Sequence, residues 1–169
     1  MYDIINKVIY MRIIKEILPY VAIILVVVLI RMFIVTPVTV DGPSMNNTLQ
    51  DGDVMILNKI NKGNIKRNDI IVFKRNNNRL IKRVIALPNE KVKCVSGIIY
   101  INNEEYDDIH ATGNTKDFQE YVLKDDEYFA VGDNRENSFD SRSFGPVKKE
   151  AILGTTDLII FPFNHIKKF

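Results

Sequence analysis

The chain has 169 residues, a formal net charge of +2, and 46% hydrophobic and 26% charged residues, a globular composition with room for one ordinary domain and an added segment. So small and scattered a positive charge excludes an electrostatic nucleic-acid binder, and the single cysteine, Cys94, excludes a disulfide within the chain. The two histidines, His110 and His165, form no ligand-spaced set, so no metal and no other cofactor is expected.

The first element is ILPYVAIILVVVLIRMFIV, from Ile17 to Val35, almost wholly apolar and about as long as a bilayer core is thick. Val21 to Ile30 carries no polar residue on any face, whereas a helix of a soluble domain keeps a polar stripe. Pro19 falls near the start of the run, where a helix tolerates it. Arg31 belongs near the outer interface, where its stem can snorkel to the head groups. Lys7, Arg12 and Lys15 precede the run and assign the short N-terminal segment to the cytoplasm. TPVTVDGPSM follows it without a small-x-small cleavage pattern, so the helix reads as a permanent anchor rather than a removed signal. The expected organisation is a cytoplasmic segment 1–16, a single transmembrane anchor 17–35 in the cell membrane, and an extracytoplasmic domain 36–169.

Beyond the anchor, apolar residues come in short bursts between turn residues: DVMILNKI (53–60), DIIVFKR (69–75), RLIKRVIAL (79–87), KVKCV (91–95), GIIYIN (97–102), EYFAVG (127–132) and TDLIIFPF (156–163). Rich in Val, Ile, Phe and Tyr and too short for helices, they predict strands, with Asn76-Asn77-Asn78 as a hairpin connection. Segment 103–126 is polar and unpatterned and reads as a surface loop. The fold class is mostly β, a compact β-sheet domain behind one N-terminal transmembrane helix.

Three segments place polar and small residues where strands begin or end. Asp41-Gly42-Pro43-Ser44-Met45 follows the extended stretch Pro37–Val40 and sets Ser44 on a sharp turn; on this segment alone an ordinary turn serine is the favoured reading. In Leu80-Ile81-Lys82-Arg83-Val84-Ile85, alternation places Lys82 with Leu80 and Val84 and predicts a solvated Arg83 on the other face. An unperturbed lysine, with a pKa near ~10.4, is neutral in only about one molecule in a few thousand at pH 7. Burial lowers that pKa and makes a general base able to take a serine's proton, although a lysine snorkelling from a sheet edge fits the segment too. Gly132 to Arg142, GDNRENSFDSR, crowds hydrogen-bonding side chains into one loop; it suits either a self-satisfied network or a frame for the lysine.

Taken together, DGPSMNNTLQDGD, DIIVF, LIKRVIALP and GDNRENSFDSRSFG resemble, in order, the motifs of type I signal peptidases, particularly the small single-span forms of Gram-positive bacteria. The resemblance runs from the apolar anchor to the closing IIFPFNHI. It implies Ser44 as nucleophile, Lys82 as general base, Ser138 as a serine that orients the lysine, and Asp140 with Arg142 as a supporting ion pair. The Ser44 backbone N–H is implied as an oxyanion donor, and Gly42 stands where some members have a hydroxyl. Val38, Val40, Met45, Val72 and Ile81 match the walls of two shallow pockets for small residues at the first and third positions before the cut. The implied substrates are exported preproteins with Ala-x-Ala-like motifs, bound as an added strand beside the bilayer. Asn47 stands where the pattern has Pro, and Asn89-Glu90 where it has Gly-Asp.

Two other classes share parts of this pattern. A self-cleaving repressor-type Ser–Lys protease carries a helix-turn-helix where this chain has an anchor, and a non-catalytic anchored protein would bind exported peptides without cutting them.

Overall fold

The computed structural model describes residues 2–169, with the backbone alone for residues 2–6, 8, 9, 33, 61 and 62. The chain divides into two units, Met1–Val35 and Thr36–Phe169. The first is helix α1, Tyr2–Phe33, of which Tyr10–Met32 is long and apolar enough to cross a membrane. Every side chain from Val21 to Ile30 is exposed, an arrangement suited to lipid, since apolar surface on all faces has no water-soluble side. Pro19 lies inside the helix rather than at its first turn; membrane helices accommodate such a proline more readily than soluble ones.

Among the described residues, twelve strands form two antiparallel sheets, the first strand starting at the junction of the two units. They are β1 (Val35–Thr39), β2 (Val54–Asn58), β3 (Ile70–Arg75), β4 (Asn78–Ala86), β5 (Lys91–Val95), β6 (Ile98–Ile101), β7 (Glu104–Glu105), β8 (Phe118–Val122), β9 (Glu127–Val131), β10 (Val147–Lys148), β11 (Ile152–Phe161) and β12 (Lys167–Lys168). The larger sheet runs β1-β2-β11-β3-β4-β9-β10, with β12 on β11, and the smaller runs β7-β6-β5-β8. A four-residue helix, α2 (Ser141–Phe144), closes the polar loop after β9.

Why β3 lies centrally is legible in its side chains. Ile70 and Val72 enter one core with Val38, Val40, Met45, Leu49, Met55 and Ile81, while Ile71 and Phe73 enter another with Val84, Tyr128 and Ile152. A strand apolar on both faces is stable only when covered on both. The third core joins β4 and β9 to the smaller sheet through Ile85, Phe129, Val92 and Ile99.

Turn chemistry sets the hairpins. β3 and β4 pair from Ile70↔Arg83 to Arg75↔Asn78, with Asn76 at φ 52 in the connection. Asn89, where the family pattern has Gly, has φ 67, a conformation that Asn tolerates better than most residues. Beside it, Glu90 Oε2 accepts from the Leu87 N–H at 2.7 Å and Oε1 pairs with Arg67 Nη2 at 2.6 Å. The acid of that motif is therefore retained in a structural role.

Segment 103–126 is not a plain loop. It contains β7 and β8, and β8 pairs with β5 across a register shift between Val92 and Cys94. Phe118 and Tyr121 lie 5.1 and 5.2 Å from the Phe129 ring. Their spacing of three breaks a strand's period of two, which hid the element in the sequence. Strand β11 also begins at Ile152, earlier than the apolar run from residue 156 suggested.

Candidate active site

The segment after β1 is held as a rigid turn. Gly42 has φ 86, a left-handed conformation that favours glycine over the hydroxyl residues found there in some relatives of the pattern. Its N–H donates to Asp51 Oδ1 at 2.8 Å. Asn46 N–H donates to Pro43 O at 3.0 Å and Leu49 N–H to Met45 O at 2.8 Å, while Asn134 grips the turn through its N–H to Ser44 O at 3.1 Å and its Nδ2 to Pro43 O at 3.2 Å. Ser44 is left half-buried, and its own N–H has no acceptor among the described residues.

Lys82 reaches this turn from β4. Its Nζ donates to Ser44 Oγ at 2.7 Å and to Ile81 O at 2.9 Å. Burial pushes its pKa down from 10.5 to about 8, against the opposing pull of the Asp140 and Asp133 carboxylates; the Arg142 guanidinium adds to the lowering. Desolvation wins because it penalises the charged ammonium directly, while the carboxylates' charges are already engaged by arginines.

Arg83 is not solvated as its alternation suggested: it is 2% exposed. Its Nε and Nη2 donate to Asp133 Oδ1 and Oδ2 at 2.8 and 2.7 Å, and its Nη1 to Asn68 O at 2.9 Å. Thr48 Oγ1 donates to Asp133 Oδ2 at 2.6 Å. A guanidinium so buried needs a bidentate carboxylate to offset its desolvation, and Asp133, fifty positions away, supplies it. No local pattern announces that pairing.

Asp140 and Arg142 form a second pair, with Nε to Oδ1 and Nη2 to Oδ2 both 2.8 Å. Burial alone would raise the Asp140 carboxyl, but the hydrogen bonds and charge of Arg142 outweigh it and hold the group below the usual carboxylate range. Asp140 Oδ2 also accepts the Gly132 N–H at 2.9 Å. At Gly132 a Cβ would lie 2.3 Å from Ser138 Oγ and 2.4 Å from Ser44 O, so only glycine lets the polar loop touch the serine turn. Ser138 Oγ is buried there, outside good hydrogen-bond geometry to any one group but close enough to Asp140 for its hydroxyl to help hold that carboxyl down.

A cleft of about 350 Å³ opens beside the Ser44–Lys82 contact, lined by Pro37 to Asp41, Met45 and Arg79 to Ile81. Of the five expected pocket residues, Val38, Val40, Met45 and Ile81 line it. Val72 does not: it is wholly buried in the core behind them. Pro37, Thr39, Asp41, Arg79 and Leu80 were not expected at the cleft; the last two follow from their place on the strand of Lys82. Among the described residues, no three His, Cys, Asp or Glu side chains converge as ligands for a metal ion.

Comparison with known proteins identifies the family of this chain. The family model described as signal peptidase, peptidase S26, matches residues 11–161. A signal peptidase I of Bacillus amyloliquefaciens is 37% identical over 155 residues, covering 83% of this chain and 84% of the relative. Signal peptidase IB of Staphylococcus aureus is 33% identical over 161 residues, covering 82% and 84%. A crystal structure of a signal peptidase I from Enterococcus faecalis has 34% sequence identity and a TM-score of 0.49, covering 54% of this chain and 95% of that one. The chain belongs to the signal peptidase family, peptidase S26, and is a serine-protease hydrolase of the signal peptidase I class that processes signal peptides.

Proposed function

We propose that Ser44 is the nucleophile and Lys82 the general base of a membrane-anchored endopeptidase that cuts exported preproteins after small-x-small, Ala-x-Ala-like motifs. The observation that carries this reading is the 2.7 Å contact between Lys82 Nζ and Ser44 Oγ, two side chains that line the same cleft.

The chemistry follows from the lysine's environment. With a pKa of about 8, roughly one Lys82 in ten is neutral at pH 7, against about one in a few thousand for a solvated lysine. The neutral amine takes the Ser44 hydroxyl proton as Oγ bonds to the scissile carbonyl carbon. The oxyanion is met by the free Ser44 N–H; Gly42 offers no side-chain donor. Collapse breaks the C–N bond, Lys82 returns the proton to the departing amine, and an ester remains. The same lysine then takes a proton from a water as its oxygen bonds to the ester carbonyl carbon, and returns that proton to Ser44 Oγ as the ester C–O bond breaks and the signal peptide leaves. Ser138, Asp140 and Arg142 position Lys82 rather than touch the reacting atoms.

Specificity has a steric basis. Val38, Val40, Met45 and Ile81 close the cleft with bulky walls, which leaves room for small side chains at the first and third residues before the cut. The peptide backbone pairs as an added strand. In this reading residues 1–16 are cytoplasmic, 17–35 anchor the chain, and 36–169 work outside, an orientation supported by Lys7, Arg12 and Lys15 ahead of the apolar run.

The test is cleavage of an Ala-x-Ala preprotein by full-length protein in detergent or vesicles. Ser44→Ala and Lys82→Ala should each remove cleavage while retaining peptide binding, and Leu at either small position of the substrate should block it. Cutting by Lys82→Ala at the wild-type rate would refute the dyad.

A further inference from the structure

The cleft is lined by one acidic and one basic side chain, Asp41 and Arg79, and among the described residues neither has an ion-pair partner. Asp41 lies at the serine turn, and Arg79 lies three residues before Lys82 on β4. Arg79 is exposed, and among the described residues its side chain makes no ion pair, hydrogen bond or ring contact. Its cross-strand neighbour on β3 is another cation, Lys74, and like charges directly opposite oppose pairing of the strands. The neighbouring Arg75 is occupied, its guanidinium 4.2 Å from the Phe144 ring centroid. The hairpin tip thus gathers positive charge that makes no ion pair among the described residues, and Arg79 lines the cleft with it.

Strand geometry says which substrate residue meets it. The two flanking segments, Pro37 to Asp41 and Arg79 to Lys82, both run toward the Ser44–Lys82 contact. The part of a substrate before its scissile bond also runs toward that contact, so it lies parallel to both. Side chains of a strand alternate, so Arg79 shares the face of Ile81. Ile81 is in one core with the walls Val38, Val40 and Met45, the side on which the two small substrate residues sit in the reading proposed above. One step of two residues from Ile81 reaches Arg79, and the same step from the third residue before the cut reaches the fifth. β4 is free to pair there, because β9 joins it only from Arg83 onward.

From this we infer that Arg79 is a specificity-determining residue that reads the fifth position before the cleavage site, favouring a carboxylate there and disfavouring a lysine or arginine. The inference rests on the Ser44–Lys82 reading, because that reading sets which way the peptide runs.

The experiment measures kcat/KM of the full-length protein for three peptides that keep the Ala-x-Ala motif and differ only at the fifth residue before the cut: Glu, Gln or Lys. The wild type should prefer Glu to Lys by roughly fivefold, as expected for one exposed ion pair gained and one repulsion removed. Added salt at about 0.5 M should shrink that ratio, since exposed charges are screened. Arg79→Gln should bring it near unity and Arg79→Glu should invert it. A ratio that stays the same in Arg79→Glu overturns the inference, and it does so even if that variant binds anionic vesicles more weakly, which would assign the charge to lipid. Failure of the underlying reading is distinguishable: there, Ser44→Ala would still cut all three peptides.

Discussion

Arg83 and Asp133 face one another through two hydrogen bonds of 2.8 and 2.7 Å, wholly buried, each beside a residue of the site: Lys82 before the arginine and Gly132 before the aspartate. The pair fastens β4 to the polar loop after β9, and so fixes where the lysine stands relative to the serine turn that Asn134 grips. Asp133→Asn should leave an uncompensated buried guanidinium and cost about 3 kcal/mol or more. Urea unfolding of the detergent-solubilised protein measures this. An apolar double replacement, Arg83→Met with Asp133→Leu, should cost less than either single change, because neither charge is then left alone. Additive losses in the double variant would mean the pair is not a unit.

Lys82 makes activity pH-dependent in a defined direction. The base must be neutral, so kcat/KM should rise with pH through an apparent pKa of about 8 and level off above it. The stability consequence has the same origin. Folding lowers the lysine's pKa from 10.5 to about 8, so between those values the unfolded state binds more protons and stability rises with pH. Below pH 8 the buried amine opposes folding by up to about 3 kcal/mol. Lys82→Met loses the bonds to Ser44 Oγ and Ile81 O, worth about 1 kcal/mol each. It should therefore stabilise the protein at pH 7 by roughly 1 kcal/mol, give no gain at pH 10, and abolish cleavage. Thermal unfolding at both pH values tests the sign, and a lower Tm at pH 7 would contradict the burial argument.

Gly132→Ala should damage both fold and activity. The added methyl would sit 2.3 Å from Ser138 Oγ, 2.6 Å from its Cβ and 2.4 Å from Ser44 O, and a backbone carbonyl held by Asn134 cannot swing away. A loss of about 1–3 kcal/mol is expected for such overpacking. Pairing it with Ser138→Gly removes the side-chain clashes and leaves the carbonyl one, so stability should recover only in part. Full recovery of both Tm and turnover would show that the serine turn is not the obstacle.

Ser138→Ala separates support of the lysine from support of the fold. The hydroxyl is buried beside Asp140 and helps hold that carboxyl down, so its removal should cost no more than about 1 kcal/mol of denaturant stability. Turnover should fall if the hydroxyl orients Lys82 when substrate is bound, with kcat lowered and KM little altered, and Ser138→Thr should restore part of it. Wild-type kinetics for Ser138→Ala would assign the residue to the loop alone.

The sequence by itself determined what depends on local periodicity and on the chemistry of single segments. An apolar run with no polar face, short bursts of β-branched residues, and a serine and a lysine in recognisable settings were legible because each is written within ten to twenty consecutive residues. Strand β8 was hidden because Phe118 and Tyr121 pack on Phe129 across a register shift that breaks the alternation. Arg83 looked like a solvated neighbour of Lys82, because its partner Asp133 lies fifty residues further on and only the pairing of β4 with β9 brings them together. Val72 matched a pocket wall by pattern but lies one layer behind it, a distinction of depth that a one-dimensional pattern does not encode. Tertiary structure alone decided that Lys82 is dry enough for its pKa to fall to about 8 and near enough to touch Ser44 at 2.7 Å. Both are properties of the space between β4 and the serine turn, and neither segment contains them alone.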